Sequence, residues 1–445
     1  MLESSPTDLA RELVAGGVVP PAAALLVEGI LSKHDLPLAG AECTTTLGIR
    51  GALGWQDDSG WLQLGLSSNV DMESFARPSM GLALLVDVSG SMGWGYGEHG
   101  EPALITRDLM LAMLENFGAH DVVGIATFAT NARMVQGFIP GDKHGQLREI
   151  IQALSASGST NMEAGMNVVR GMFAEAEIQA EQKRVILLTD AQPNVGATTA
   201  GSFMEQAGDL ERAGIGLTII GTGIGLNPDV MTAMVNLTGG NGFSISSAGR
   251  VPQFMDDNWP WMVCPIAYDL EVDANPTGGL TVGKGYGFPG DNGQLRTASV
   301  FLSKRRGALL LRLDGGQFEQ LGADLLLSYR TPVGEVLSQT LTLQLPGGAS
   351  LDEAERYFES YSVQKTTALA LLVDGMRQAA EIYMHEREES LRLMAATVEQ
   401  FASDLTALSA QNPADGIELE RELAFAEQML QLMEAGARQG TLYGL

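Results

Sequence analysis

The sequence predicts a multidomain protein of the α/β plus β class, in which a doubly wound, parallel-sheet domain is inserted in an antiparallel β-sandwich and followed by a C-terminal helical hairpin. Three observations predict this fold. Between residues 80 and 256, continuous apolar segments of strand length alternate with helical segments, which is typical of a parallel sheet covered on both faces. Between 263 and 345, apolar residues recur at every second position between Gly- and Pro-containing turns, as in a sandwich. From about residue 348, apolar residues recur three and four apart, as in helices.

Composition excludes several classes of protein. The 445 residues are 45% hydrophobic, which is enough to build cores, and 27 Lys plus Arg face 54 Asp plus Glu for a net charge of −27. Such a surface repels phosphates, so we expect neither nucleic-acid nor anionic-membrane binding. The chain has no signal-peptide pattern at residues 1–5 and no apolar run near the ~18 residues of a membrane span. Its two cysteines, Cys43 and Cys264, form no disulfide framework, so we expect a cytoplasmic location.

Two short strand patterns in residues 43–70 determine the predicted domain order. A lone pair of strands is only marginally stable, so we expect these strands to pair with those of the later sandwich. The α/β domain would then interrupt the sandwich. The predicted divisions are a helical segment (1–40), strands that join the sandwich (41–76), the α/β domain (77–258), the sandwich (259–347) and the C-terminal helices (348–445).

Strands of the α/β domain are predicted from four buried apolar segments, and the helices lie between them. The strands are 82–86, 122–128, 185–188 and 215–220, and the helices are 102–117, 162–174, 199–213 and 229–237. In the C-terminal region, two apolar stripes flank a turn at 411–416. They predict an antiparallel helical hairpin, although the same stripes could pair with another chain.

Five oxygen-bearing residues carry the predicted chemistry. Asp87, Ser89 and Ser91 follow one buried strand, Thr160 lies at the head of a helix, and Asp190 follows a second buried strand. In a parallel sheet these loops meet at the carboxyl edge, where ligands bind. Carboxylates and hydroxyls without His or Cys are hard ligands, which select Mg²⁺, with Ca²⁺ and Mn²⁺ fitting the same set.

The Asp-x-Ser-x-Ser motif, the distant Thr and the second Asp, in this order, resemble the von Willebrand factor A (vWA) domain and its metal-ion-dependent adhesion site. The flanking strands and helices are similar to those of bacterial vWA-containing proteins and, loosely, to inter-α-inhibitor heavy chains. The resemblance implies direct metal coordination by Ser89, Ser91 and Thr160, with Asp87 and Asp190 acting largely through water. It also implies a free metal position for an acidic residue of a protein partner, and a place in a multi-protein complex.

Two features depart from the family pattern. Ala191 follows the second aspartate where many relatives have glycine, so a loop that needs a positive φ would be shaped differently there. Residues 93–100 place Trp94 and Tyr96 among glycines and delay the first helix. This segment reads either as a contact loop for a partner or as a plain crossover.

Other functions have weaker sequence support. Gly221-x-Gly223-x-Gly225 lacks the spacing of a dinucleotide fingerprint, and no Gly-x-Ser-x-Gly elbow frames Ser89. A metal-dependent hydrolase needs a general base or a second metal. We therefore predict a non-enzymatic, Mg²⁺-dependent protein-interaction module. The alternatives are a structural scaffold with a vestigial metal site and, with less support, a metal-dependent hydrolase.

Overall fold

Three β-sheets organise the protein. A computed structural model describes residues 6–40, 43–70, 75, 77–93, 101–155, 158–190, 200–223, 239–245, 247–259, 261–287, 292–301 and 306–440. The predicted helix at 229–237, the contact loop beyond Gly93 and the departure at Ala191 lie outside these ranges.

A six-stranded sheet forms the α/β domain, with the order β5-β4-β3-β6-β7-β8. All neighbouring strands are parallel except the edge strand β5, which runs antiparallel to β4. The parallel sheet predicted from the sequence is confirmed, and β5, which the sequence analysis missed, makes it a mixed sheet. The strands are β3 (Met80–Asp87), β4 (Val122–Phe128), β5 (Ala132–Pro140), β6 (Gln182–Thr189), β7 (Ile215–Thr222) and β8 (Gly240–Ile245).

Helices cover both faces of this sheet because the central strands are apolar on both. In β3, Leu84 and Val86 belong to one core cluster and Ala83 and Leu85 to another, as the two-residue period of a strand requires. The first cluster is completed by the helices α3 and α7, and the second by α5 and α6. The helices of this domain are α3 (Glu101–Leu114), α4 (His144–Gln152), α5 (Met162–Glu175), α6 (Ala200–Arg212) and α7 (Val251–Asn258).

Two antiparallel sheets form the sandwich, and strands from both sides of the α/β domain build it. The orders are β10-β12-β2-β1-β15 and β11-β9-β13-β14. Because β2 precedes the α/β domain and pairs with β12, which follows it, the predicted insertion is confirmed. The strands are β1 (Gly48–Gln56), β2 (Ser59–Ser67), β9 (Pro265–Pro276), β10 (Thr281–Tyr286), β11 (Gln294–Phe301), β12 (Leu309–Asp314), β13 (Gly322–Arg330), β14 (Val336–Gln344) and β15 (Tyr357–Phe358).

A fully buried arginine joins the α/β domain to the segment that enters the sandwich. Arg184 on β6 is 2% exposed and donates hydrogen bonds to the carbonyl oxygens of Val263 and Gly239, at 3.0 and 2.8 Å. It also donates to the Thr218 hydroxyl at 2.9 Å, and its guanidinium lies over the Phe301 ring. Burial lowers the pKa of Arg184 to about 10, so the group remains charged at neutral pH. Its hydrogen bonds therefore tie three separate segments together.

The C-terminal region contains the predicted hairpin and one further helix. Helices α9 (Arg387–Gln411) and α10 (Gly416–Glu434) are joined at Pro413–Asp415, which confirms the predicted hairpin and its turn. Helix α8 (Tyr361–Ile382) precedes them and packs against α9. The N-terminal helices α1 (Pro6–Ala15) and α2 (Val27–Leu31) share one core cluster with these three. Among the described helices, none combines the length and apolar character that crossing a bilayer needs.

Candidate functional site

The predicted site residues gather where the strand order of the six-stranded sheet reverses. Strand β3 is central, β4 and β5 lie on one side of it, and β6, β7 and β8 lie on the other. Asp87 ends β3 and Asp190 follows β6, which is its neighbour in the sheet. Two loops that leave adjacent strands toward opposite sides open a crevice at the carboxyl edge. The fold therefore brings these two carboxylates together although they are far apart in sequence.

Asp87 lies at the bottom of this crevice. Its side chain is fully buried. The backbone N–H of Ser89 donates to Asp87 Oδ1 at 2.8 Å, and the hydroxyl of Thr189 donates to Oδ2 at 2.7 Å. These two bonds orient the carboxylate. Thr189 was not predicted as a site residue, although its position directly before Asp190 at the end of a buried strand was a usable signal.

The two serines connect Asp87 to Asp190. The hydroxyls of Ser89 and Ser91 lie 3.1 Å apart, and the Ser91 hydroxyl donates to Asp190 Oδ1 at 3.0 Å. Ser89 is buried, whereas Ser91 is exposed. Oxygen atoms therefore line the crevice from its buried base to its exposed rim.

Backbone contacts bring the Thr160 segment to the same place. The N–H of Gly90 donates to the carbonyl oxygen of Gly158 at 3.0 Å, and Thr160, two residues later, is 1% exposed. The N–H of Ser159 donates to the Thr130 hydroxyl at 3.0 Å, and the N–H of Asn161 donates to the Ala129 carbonyl oxygen at 2.8 Å. The turn between β4 and β5 thus supports the segment that carries Thr160.

Gly158 is required at its position for two reasons. Its φ is +76°, which only glycine adopts without strain. A Cβ atom at this position would lie 2.1 Å from Thr130 Oγ1. Gly158 lies two residues before the predicted Thr160, whereas Thr130 was not predicted as a site residue because no motif marks it.

Charge repulsion at the site favours a cation. Burial raises the pKa of Asp87, although hydrogen bonds from Ser89 and Thr189 lower it in part. Burial and the negative charge of Asp87 together raise the pKa of Asp190 to about 6, against an ordinary value of 3.8. A divalent cation between the carboxylates would relieve this repulsion. The residues therefore fit the hard, oxygen-coordinated metal that the sequence predicts.

Hydroxyl groups, and not a cluster of acids, distinguish this site. In the part of the chain that the structure describes, no three His, Cys, Asp or Glu side chains come together in a metal-binding arrangement. The candidate set instead combines two carboxylates with the hydroxyls of Ser89, Ser91 and Thr160. That these five residues bind a metal stays a prediction.

Comparison with known sequences agrees with the predicted resemblance. Residues 82–192 match the family described as von Willebrand factor type A domain. A curated relative from Escherichia coli (strain K12), named "Uncharacterized protein YfbK", is 24% identical over an alignment of 282 residues that covers 60% of this chain. The match spans 48% of that relative, so the chain corresponds to about half of its length.

Comparison with solved structures extends the likeness beyond the matched segment. The von Willebrand factor type A protein from Catenulispora acidiphila superposes with a TM-score of 0.51 at 13% identity, over 84% of this chain and 91% of that one. At this identity the likeness shows the fold alone. The ArnB paralog VWA2 from Sulfolobus acidocaldarius covers 89% of this chain at 16% identity, with a TM-score of 0.44.

Proposed function

The chain contains a von Willebrand factor type A domain, which suggests a protein-interaction module, and we propose that its interaction with a protein partner depends on a divalent cation. The observation that carries this proposal is the convergence of Asp87, Ser91 and Asp190 in one crevice, with Asp87 raising the pKa of Asp190. Two neighbouring carboxylates that repel each other, one at the base of the crevice and the other nearer its rim, are stabilised by a positive charge between them.

The five proposed residues would have two different roles in binding Mg²⁺. By the vWA resemblance, Ser89, Ser91 and Thr160 would coordinate directly, and Asp87 and Asp190 would act mainly through water. Neutral direct ligands leave much of the cation's charge available, so a bound Mg²⁺ would accept an acidic side chain of the partner in exchange for a water. Because Ser91 is exposed, this exchange would occur at the surface of the protein, where a partner has access.

A non-enzymatic role fits the same set of residues. The proposed ligands include no cysteine or histidine. Hydrolysis at a single Mg²⁺ would also need a general base, whereas Asp87 is held by two hydrogen bonds below the surface. We therefore propose binding, and not catalysis, as the function of the crevice.

Direct metal binding is the first test. Mn²⁺ binding to the full chain, followed by electron paramagnetic resonance and competed with Mg²⁺, should weaken at least tenfold in Ser91→Ala and Asp87→Asn. Ser338→Ala is the matched control, because Ser338 is also exposed but lies on β14, far from the crevice. Unchanged Mn²⁺ affinity in both site variants would mean that the metal site is assigned wrongly.

Partner capture is the second test. Proteins retained by the immobilised chain in Mg²⁺ should be released by EDTA and should not be retained by Asp87→Asn. Capture that persists in EDTA would support the alternative, a scaffold that makes its contacts through other surfaces.

A further inference from the structure

We propose that the partner segment carries two acidic residues, one for the metal site and a second for Arg133 at the start of β5. The inference rests on the proposed function and names the chemistry of the partner. A chain with a net charge of −27 repels an acidic partner. A second acidic residue of such a partner would therefore need a positive charge beside the crevice, in addition to the metal.

Few cationic side chains are available for this purpose, because most of those in the described ranges are already engaged. Within these ranges, no ion pair or side-chain hydrogen bond is seen for five of them, which are Arg133, Lys143, Lys183, Arg421 and Arg438. Lys143 follows β5 and Lys183 lies near the start of β6, so both are at the amino edge of the parallel sheet. Arg421 and Arg438 belong to the C-terminal region. Only Arg133 in this group lies at the carboxyl edge.

Strand register places Arg133 close to the candidate metal site. Asp87 is level with Phe128 of β4, and Phe128 is level with Ala132 of β5. Two strand spacings separate β3 from β5, which is roughly 10 Å. Arg133 is the next residue after Ala132 and is exposed. A carboxylate on Arg133 and another at the metal would thus be separated by roughly the length of three extended residues.

The surface between the two points is suited to an extended segment. Residues 130–134, which we call the β5 rim, include the exposed side chains of Thr130, Asn131 and Met134, the last of them 54% exposed. The hydrogen bond from Ser159 to Thr130 makes this rim continuous with the segment that carries Thr160. The polar side chains of Thr130 and Asn131 therefore lead from the crevice toward Arg133, whereas Met134, the next residue of the strand, lies on the opposite face of β5.

Synthetic peptides of defined spacing test the proposal. The probes are fluorescent Gly/Ser peptides with a single Asp, or with two Asp separated by one to four residues, and binding is measured in Mg²⁺ by anisotropy. At the best spacing, two Asp should bind roughly two- to fivefold tighter than one, the range of an exposed ion pair. Arg133→Ala should remove this preference and leave binding of the single-Asp peptide unchanged. Arg133→Glu should disfavour the second Asp, and Arg421→Ala is the matched control.

The outcomes separate this proposal from the function on which it rests. A preference for two Asp that survives in Arg133→Ala, or that is lost equally in Arg421→Ala, overturns the role of Arg133 but leaves the metal-dependent site intact. Absence of any Mg²⁺-dependent binding, with Asp87→Asn equal to the unmodified chain, overturns both proposals. Mg²⁺-dependent self-association in sedimentation, abolished by Arg133→Glu, would identify the occupant as a second copy of this chain and overturn a separate partner.

Discussion

The hydroxyl of Ser91 donates a hydrogen bond of 3.0 Å to Asp190 Oδ1, although 99 positions separate the two residues in the sequence. The contact exists because β3 and β6 are adjacent parallel strands, so that the residues following them share one edge of the sheet. Through this contact, the loop that follows β3 and the loop that follows β6 bring their oxygen atoms together at the predicted metal site.

Thr130 should act as a positioning residue for the metal site. Its hydroxyl accepts the hydrogen bond of Ser159 N–H and is exposed, so its loss should not disturb the core. We expect Thr130→Val to weaken Mn²⁺ binding about tenfold, as substitutions of residues that orient metal ligands do. Thr130→Ser keeps the hydroxyl and should bind Mn²⁺ as the unmodified chain does. A purely steric role would give the reverse order, because valine matches the shape of threonine and serine does not.

Gly158→Ala should be destabilising through two separable causes. The positive φ costs a residue with a Cβ about 1–2 kcal/mol, and the Cβ atom collides with Thr130 Oγ1. In a Thr130→Ala background the collision with Oγ1 is absent and the Cβ atom of residue 130 remains at 3.2 Å, so most of the second cost should disappear and the two substitutions should be non-additive in urea unfolding. Strict additivity would show that the collision is relieved by movement of the loop.

Arg184→Leu should lower the free energy of unfolding by about 3 kcal/mol, because it leaves the buried carbonyl groups of Val263 and Gly239 without their donor. Arg184→Lys should recover only part of this loss, since one ammonium group cannot reproduce the fork of the guanidinium. Lys183→Leu, one position earlier on β6 and without an ion pair, is the matched control and should change stability by less than about 0.5 kcal/mol. Equal losses of stability in Arg184→Leu and Lys183→Leu would contradict the proposed role of Arg184 in connecting these segments.

Asp374 on α8 should contribute a pH-dependent part of the stability. It accepts hydrogen bonds from Lys284 on β10 and from Arg377. Burial raises the pKa of Asp374, but these two cations outweigh burial and hold it below 3.8. A carboxyl with a lowered folded pKa stabilises the fold above its unfolded pKa, and this stabilisation is lost as the pH falls through the folded pKa.

We therefore expect Asp374→Asn to reduce stability by about 2 kcal/mol between pH 5 and 7, somewhat less than the cost of breaking a fully buried pair. The difference from the unmodified chain should shrink below about pH 4. Glu381→Gln on the same helix, at an exposed position, is the control for loss of an acidic side chain. A difference that stays constant down to pH 3 would contradict the assignment.

Much of the fold follows from patterns that are local in sequence. The apolar segment that becomes β3 is buried on both faces, and several such segments that alternate with helices are typical of a helix-covered sheet, so the α/β domain could be predicted. The Gly-containing turns and two-residue periods similarly predicted the sandwich. In contrast, β5 has a partly exposed pattern, because an edge strand touches the core on part of its surface only. Its sequence therefore gives a weak periodic signal.

By itself, the sequence determined the fold class, the interruption of the sandwich and the five oxygen-bearing candidates, because hydrophobic period and motif are properties of neighbouring residues. Only the tertiary structure decided which distant groups meet: Thr189 with Asp87, Thr130 with Ser159, and Arg184 with Val263. These contacts depend on which strands are adjacent and on how loops cross the sheet edge. No short stretch of sequence encodes that adjacency, since it results from the packing of the whole domain.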